Sequence, residues 1–231
     1  MEFILLFNER EGSPPPVKEG LAAMAAYSGQ LRTQGVLRRG GPLAPASAAA
    51  TVRVRQDKAL VTDGPFAETK ELVAGLWIVE VAGRAEAVEI ARHCPHARRG
   101  PIELHVLQGR RTLPDAENGA PFLLAFRSAP GLADPDGAKR REMLAFATAL
   151  EREGILFERA AIGDDPPAAR IEARAGALSV ADGPFDALDA IGAYSLVRAA
   201  DRAAAIALAT RCPHARWAPV EVREIPFFDP V

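Results

Sequence analysis

The chain has 231 residues, 48% of them hydrophobic and 25% charged, enough to build either one large core or two of roughly 100 residues each. A formal charge of -2 and a pI near 6.1 give no overall attraction to a polyanion or an acidic membrane surface, so direct nucleic-acid binding is set aside. The opening apolar residues stop at Phe7, too early for a secretory signal, no apolar run approaches the ~18 residues of a membrane span, and two cysteines suit a reducing compartment, so a cytoplasmic protein without a membrane anchor is expected.

In chain order, the short apolar run FILLF reads as a first strand. A helical pattern follows with Leu21, Met24, Ser28 and Leu31 on one face, and Gly35 stands where a left-handed helix cap belongs. VLRRGGPLA comes next, then TVRVR and KALVTD, two alternating runs joined by a turn-forming tip. LWIVEVA is a further strand, Arg84 to about Cys94 a second helix, and PIELHVL a closing strand. The stretch QGRRTLPDAENGAP, Gln108 to Pro121, is polar, lacks apolar periodicity and carries Pro and Gly breakers, which marks a seam. Beyond it the same series recurs: FLLAF, a helix with Met143, Ala147 and Leu150, Gly154 at its cap, ILFERAAIG, ARIEAR with ALSVAD, YSLVRAA, a helix from about Arg202 to Cys212 with Asp201 as N-cap, and PVEVREI.

The recurrence holds residue by residue. Phe3 and Phe122, Leu5 and Leu124, Met24 and Met143, Leu31 and Leu150, Gly35 and Gly154, and Asp63 and Asp182 are all 119 apart. After the Asp-Gly-Pro-Phe segments that begin at Asp63 and Asp182 the offset is 118, as in Cys94 and Cys212, His96 and His214, and Glu103 and Glu221. A period this long suits a duplicated domain rather than a solenoid, so units are expected at 1–110 and 120–231. Each unit is α+β, with a mostly antiparallel sheet and both helices on one face. The two uncovered sheet faces should press together about a pseudo-twofold axis, as two chains of a homodimer would.

Two constellations are repeated. Asp63 and Asp182 each open an Asp-Gly-Pro-Phe tetrapeptide after an alternating strand. In one reading the Asp bonds its own backbone, Gly supplies unusual angles and Pro fixes the exit; in the other the carboxylate stands beside a cavity as a general acid or base. Phe66 and Phe185 plug the core under either reading. Cys94 and Cys212 end a helix and are followed by Pro, with His96 and His214 next in line. A buried Cys with a capping His is one reading, and a proton shuttle at His96 and His214, partnering the aspartates, is the other. His93, Cys94 and His96 do not make a metal set, because Arg211 replaces His93 in the second copy and no other ligands complete it. His105, whose counterpart is Arg223, reads as a surface or barrel-mouth residue.

DGPFAETKE followed by GLWIVEV, a helix ending in Cys-Pro and a strand beginning GPIEL resembles the YCII-related superfamily, in particular its DGPF-domain branch, and does so twice over nearly the whole chain. The resemblance implies ferredoxin-like units paired into a dimeric α+β barrel, here within one chain, with further homo-oligomerisation open. It implies a mostly unassigned biochemistry: some relatives are implicated in small-molecule degradation, and DGPF proteins are often associated with extracytoplasmic-function sigma factors. The His and Asp pair through which the YCII branch is interpreted has no match, since SPPPVKEG and ADPDGAKR contain no histidine and Cys94-Pro95 and Cys212-Pro213 stand for the Asp-Pro step. Two functions follow as expectations: a cofactor-free acid/base enzyme acting on a small-molecule ligand through Asp63, His96, Asp182 and His214 in an apolar pocket, or a non-catalytic ligand-binding or regulatory module with a sigma factor as partner.

Overall fold

The computed structural model describes residues 1–226 except 11, 15, 65–70, 115–117, 130, 131, 135, 164, 175, 176 and 184–189. Phe66 and Phe185 lie outside the described residues. The first half runs β1 (Glu2–Arg10), α1 (Lys18–Thr33), β2 (Leu37–Pro42), β3 (Ala50–Arg55), β4 (Lys58–Asp63), β5 (Glu71–Glu80), α2 (Arg84–His93) and β6 (Ile102–Thr112). The second repeats it: β7 (Ala120–Arg127), α3 (Ala138–Arg152), β8 (Leu156–Gly163), β9 (Ala169–Arg174), β10 (Ala177–Asp182), β11 (Ile191–Ala199), α4 (Arg202–Arg211), the short α5 (His214–Trp217) and β12 (Val220–Glu224). Among the described residues no helix is long and apolar enough to cross a membrane.

The helix ends follow from their residues. Gly35 and Gly154 have φ near 70° and 69°, and the amides of Val36 and Ile155 reach back to the carbonyls of Leu31 and Leu150 at 2.9 Å, so both long helices stop in the same Gly-dependent cap. Asp201 accepts from the Ala204 amide at 2.8 Å at the start of α4, where its counterpart Gly83 has no side chain to offer. One expected position differs: Leu21 is exposed, while Ser28 and Leu31 are buried and Met24 and Tyr27 pack partly against the core. The buried stripe begins at Met24, and the repeat counterpart of Leu21 is the exposed Arg140, so this first turn faces solvent in both halves.

The strands form one large antiparallel sheet system in the order β2-β5-β1-β6-β8-β11-β7-β12-β3-β4, with β9 joined to β6 and β10. Each half sends its β-hairpin to the other. β9 pairs with β6 through Glu103↔Arg170, and β3 pairs with β12 through Val220↔Val52. The two halves also meet along β6 and β8, from Val106↔Gly163 to Thr112↔Glu158. Ala44 donates to the Glu224 carbonyl at 2.8 Å, the repeat counterpart of the Val106↔Gly163 pairing.

Alternation sorts the side chains into three cores. Phe3, Leu5 and Phe7 face α1 and α2, and Phe122, Leu124 and Phe126 face α3 and α4, while Ile4, Leu6, Leu76, Leu123, Phe157 and Leu196 form a third cluster drawn from both halves. The exchanged hairpins belong to the partner's core: Ala169 and Ile171 are buried with the first half, Ala50 and Val52 with the second. Burying a Val or Ile side chain contributes about 1.5–3 kcal/mol, so the exchange ties the halves together as strongly as ordinary core packing does.

Candidate functional site

Asp63 and Asp182 stand at the ends of the exchanged hairpins, and both reach a guanidinium of the opposite half. Arg202 at the start of α4 donates to Asp63 and, from the same side chain, to the carbonyls of Ala48 at 3.0 Å and Ala49 at 2.8 Å. Arg84 at the start of α2 donates to Asp182 and to the carbonyl of Pro167 at 2.8 Å. The arginines are themselves repeat counterparts. Both carboxylates are open to water, 73% and 71% exposed, and Gly64 and Gly183 donate across their hairpins to Ala49 and Ala168.

His96 and His214 are buried. Their Nε2 atoms lie 2.9 Å from the carbonyls of Asn8 and Arg127, at the ends of β1 and β7, and each ring packs on a neighbouring phenylalanine, Phe7 or Phe126. Burial lowers both imidazoles below their usual value of 6.5, against the opposing pull of the carbonyl bonds. Cys94 and Cys212 are also buried, with their sulfurs 3.7 and 3.8 Å from those of Met24 and Met143, and burial pushes both thiols up to about 12. Among the described residues neither histidine is a hydrogen-bond partner of either aspartate. An open cleft of about 600 Å³ is lined by Val54, Arg55, Gln56, Asp57 and Arg216, a mostly polar set without the four expected residues.

A different group of ionisable side chains meets on β6. Glu103 and His105 alternate with Ile102, Leu104 and Val106, so they leave the helix-side core and lie level with Leu6 and Ile4 of β1. His105 Nε2 is 3.5 Å from Glu103 Oε2, and Arg170 of β9 donates to Glu103 at 2.9 Å and also to Glu71. These side chains are partly exposed, at 12% for His105 and 20% for Glu103. Burial pulls the Glu103 carboxyl up, but the bond from His105 and the Arg170 guanidinium together outweigh it and hold it below the usual carboxylate value. Among the described residues, His105 Nδ1 is buried without a hydrogen-bond partner.

The equivalent place in the second half is occupied differently. Glu221, counterpart of Glu103, is buried and held by Arg127 at 3.0 Å and by Arg223 at 3.0 Å, while Arg223 also donates to the Ala44 carbonyl at 3.2 Å. Arg127 replaces Asn8, Arg223 replaces His105, and Thr51 stands where the other hairpin has Arg170. The alternation in PIELHVL could have identified Glu103 and His105 in the sequence. The contribution of Arg170 could not be found that way, because it comes from a hairpin of the other half.

The profile of the YCII-related domain matches twice, over residues 1–107 and 120–229. The chain belongs to the YCII-related domain family. It carries that domain as a tandem duplication. An uncharacterised protein of Rhizobium meliloti (strain 1021) is 43% identical over 60 residues, and the chain spans about half the length of this curated relative: 48% of it, against 25% of the chain itself. Within this YCII-family chain the Asp and Arg clamp and the Cys-Pro-His segment are kept in both copies. The sets around Glu103 and Glu221 have parted.

Proposed function

We propose that this YCII-family chain is a cofactor-free, cytoplasmic small-molecule protein with one proton-handling site, formed by Glu103 and His105 of the first unit and Arg170 of the second. The observation that carries this reading is the partly open Glu103 and His105 pair, set against a counterpart in which Glu221 is sealed between two arginines. With the Nε2 of His105 turned toward Glu103, its Nδ1 is, among the described residues, buried without a partner. A bound hydroxyl or phenol would meet the partly exposed side of the pair, where the Glu103 carboxylate, held charged by Arg170, could take its proton.

The scaffold in this proposal is a pair of ferredoxin-like units at 1–110 and 120–231, of the DGPF branch, closed into an intrachain α+β barrel. The strand order and the hydrogen bond from Ala44 to Glu224 support closure, since that bond returns β12 to β2. Asp63, Asp182, His96 and His214 enter it as fasteners. The aspartates tie hairpins across the halves, and the histidines tie strand ends to the turn after a helix.

A thermal-shift panel of small carboxylic acids and phenols tests the proposal. At least one compound should raise the melting temperature in a concentration-dependent way, the shift should vanish in Glu103→Gln and His105→Asn, and it should persist in Asp63→Asn and Asp182→Asn. Loss of binding in the aspartate variants alone would move the site to the tetrapeptides. Silence across the panel would favour the regulatory module, with a sigma factor as the partner to test.

A further inference from the structure

Arg39 and Glu158 are 119 residues apart, the offset of the repeat itself. Their pairings agree: Arg39 lies opposite Ile78 and Glu158 opposite Leu196, which are themselves counterparts. They also touch each other. Arg39 Nε is 3.2 Å from Glu158 Oε2, and their side chains are 4% and 0% exposed. A residue meets its own repeat mate only beside the axis that relates the two halves, so this ion pair marks that axis.

Symmetry then imposes a condition. Were two first halves joined by the same contact, Arg39 would face a second Arg39; were two second halves joined, Glu158 would face Glu158. Either places like charges in a site closed to water, where no solvent screens them. The surroundings sharpen the contrast. Arg110 of β6 donates to Glu158 at 2.8 Å and also to Glu2, and Tyr194, whose counterpart is Leu76, donates its hydroxyl to Glu158 at 2.8 Å. The Arg84 and Asp182 clamp and its counterpart are indifferent to this choice, because the same residues would meet in a symmetric pair.

We infer that the Arg39 and Glu158 pair is a pairing code: the inner face of each half accepts the opposite half and rejects a second copy of itself. Duplication alone would have preserved a self-complementary surface. Divergence at one axial position made it complementary only in the unlike sense, and every unlike pair brings one Glu103 and His105 set together with one Arg170. The inference is independent of what that set does.

The test cleaves the folded full chain at a protease site placed within 115–117, unfolds and refolds the products, and counts pairs by native mass spectrometry. Unlike pairs should exceed like pairs at least tenfold, and the doubly substituted Arg39→Met, Glu158→Met chain, treated the same way, should recover like pairs. Like pairs at their statistical share in the parent protein would overturn the inference, as would their continued exclusion in the double variant. Should the cleaved chain not refold, the intact chain decides: Arg39→Glu must lower the urea midpoint further than Arg39→Met, and equal midpoints would show that like charges are tolerated at the axis.

Discussion

Arg202, the first residue of a helix in the second half, donates to Asp63, the first residue of the Asp-Gly-Pro-Phe tetrapeptide in the first half, and the reciprocal contact joins Arg84 to Asp182. Each copy of the tetrapeptide therefore begins with a bond to the other half. Because the same arginine also satisfies the backbone carbonyls of Ala48 and Ala49, its two functions separate on mutation. Asp63→Asn, at an exposed ion pair, should cost about 0.5 kcal/mol or less, whereas Arg202→Ala, which also removes the donors of two carbonyls, should cost about 1–2 kcal/mol. Urea unfolding of the two variants gives this order directly, and equal losses would refute it.

The buried histidines set an acid limit. His96 faces Glu9 and Arg99, His214 faces Arg53 and Lys139, and burial lowers both imidazoles in the folded chain. An unfolded chain takes up protons near 6.5 that the folded chain still refuses, so stability should fall as the pH drops below about 6.5 and keep falling until the depressed folded values are reached. Glu103 acts in a lower window. Its carboxyl is held below the usual value, so its contribution is present above pH 4.5 or so and lost as the pH falls through its folded value. Melting temperatures between pH 7.5 and 5.5 should drop in the parent and flatten in the His96→Gln, His214→Gln double variant.

The two thiols should be inert in the folded protein. With both pushed up to about 12 and packed against methionine sulfur, a thiolate-selective reagent at pH 8 should label neither Cys94 nor Cys212 until the chain unfolds. Labelling at native rates typical of free cysteine would contradict this.

Gly100 is sterically confined. A Cβ there would stand 2.2 Å from the Asn8 carbonyl oxygen, the acceptor that His96 uses. Gly100→Ala must displace backbone rather than a flexible side chain, and a loss on the order of 2–4 kcal/mol in urea unfolding is expected. Gly35→Ala meets no atom of the described residues within 4 Å but requires φ near 70°, so a smaller loss of about 1 kcal/mol should follow.

Much of this was legible in the sequence because it depends on neighbours along the chain. The 119 and 118 offsets reveal the duplication, the helix caps at Gly35, Gly154 and Asp201 follow from local backbone chemistry, and the alternation of Glu103 and His105 with apolar neighbours places them on the face away from the helices. What the sequence left open lies between residues far apart. Asp63 meets Arg202, 139 positions away, and His96 meets the carbonyl of Asn8, 88 positions away. The exchange of hairpins, the sealing of Glu221 by Arg127 and Arg223, and the meeting of Arg39 with Glu158 at the axis all depend on how one copy lies against the other. Periodicity encodes which face of an element is apolar. It carries no record of which distant charge will lie opposite, since that is set by strand pairing across the whole chain.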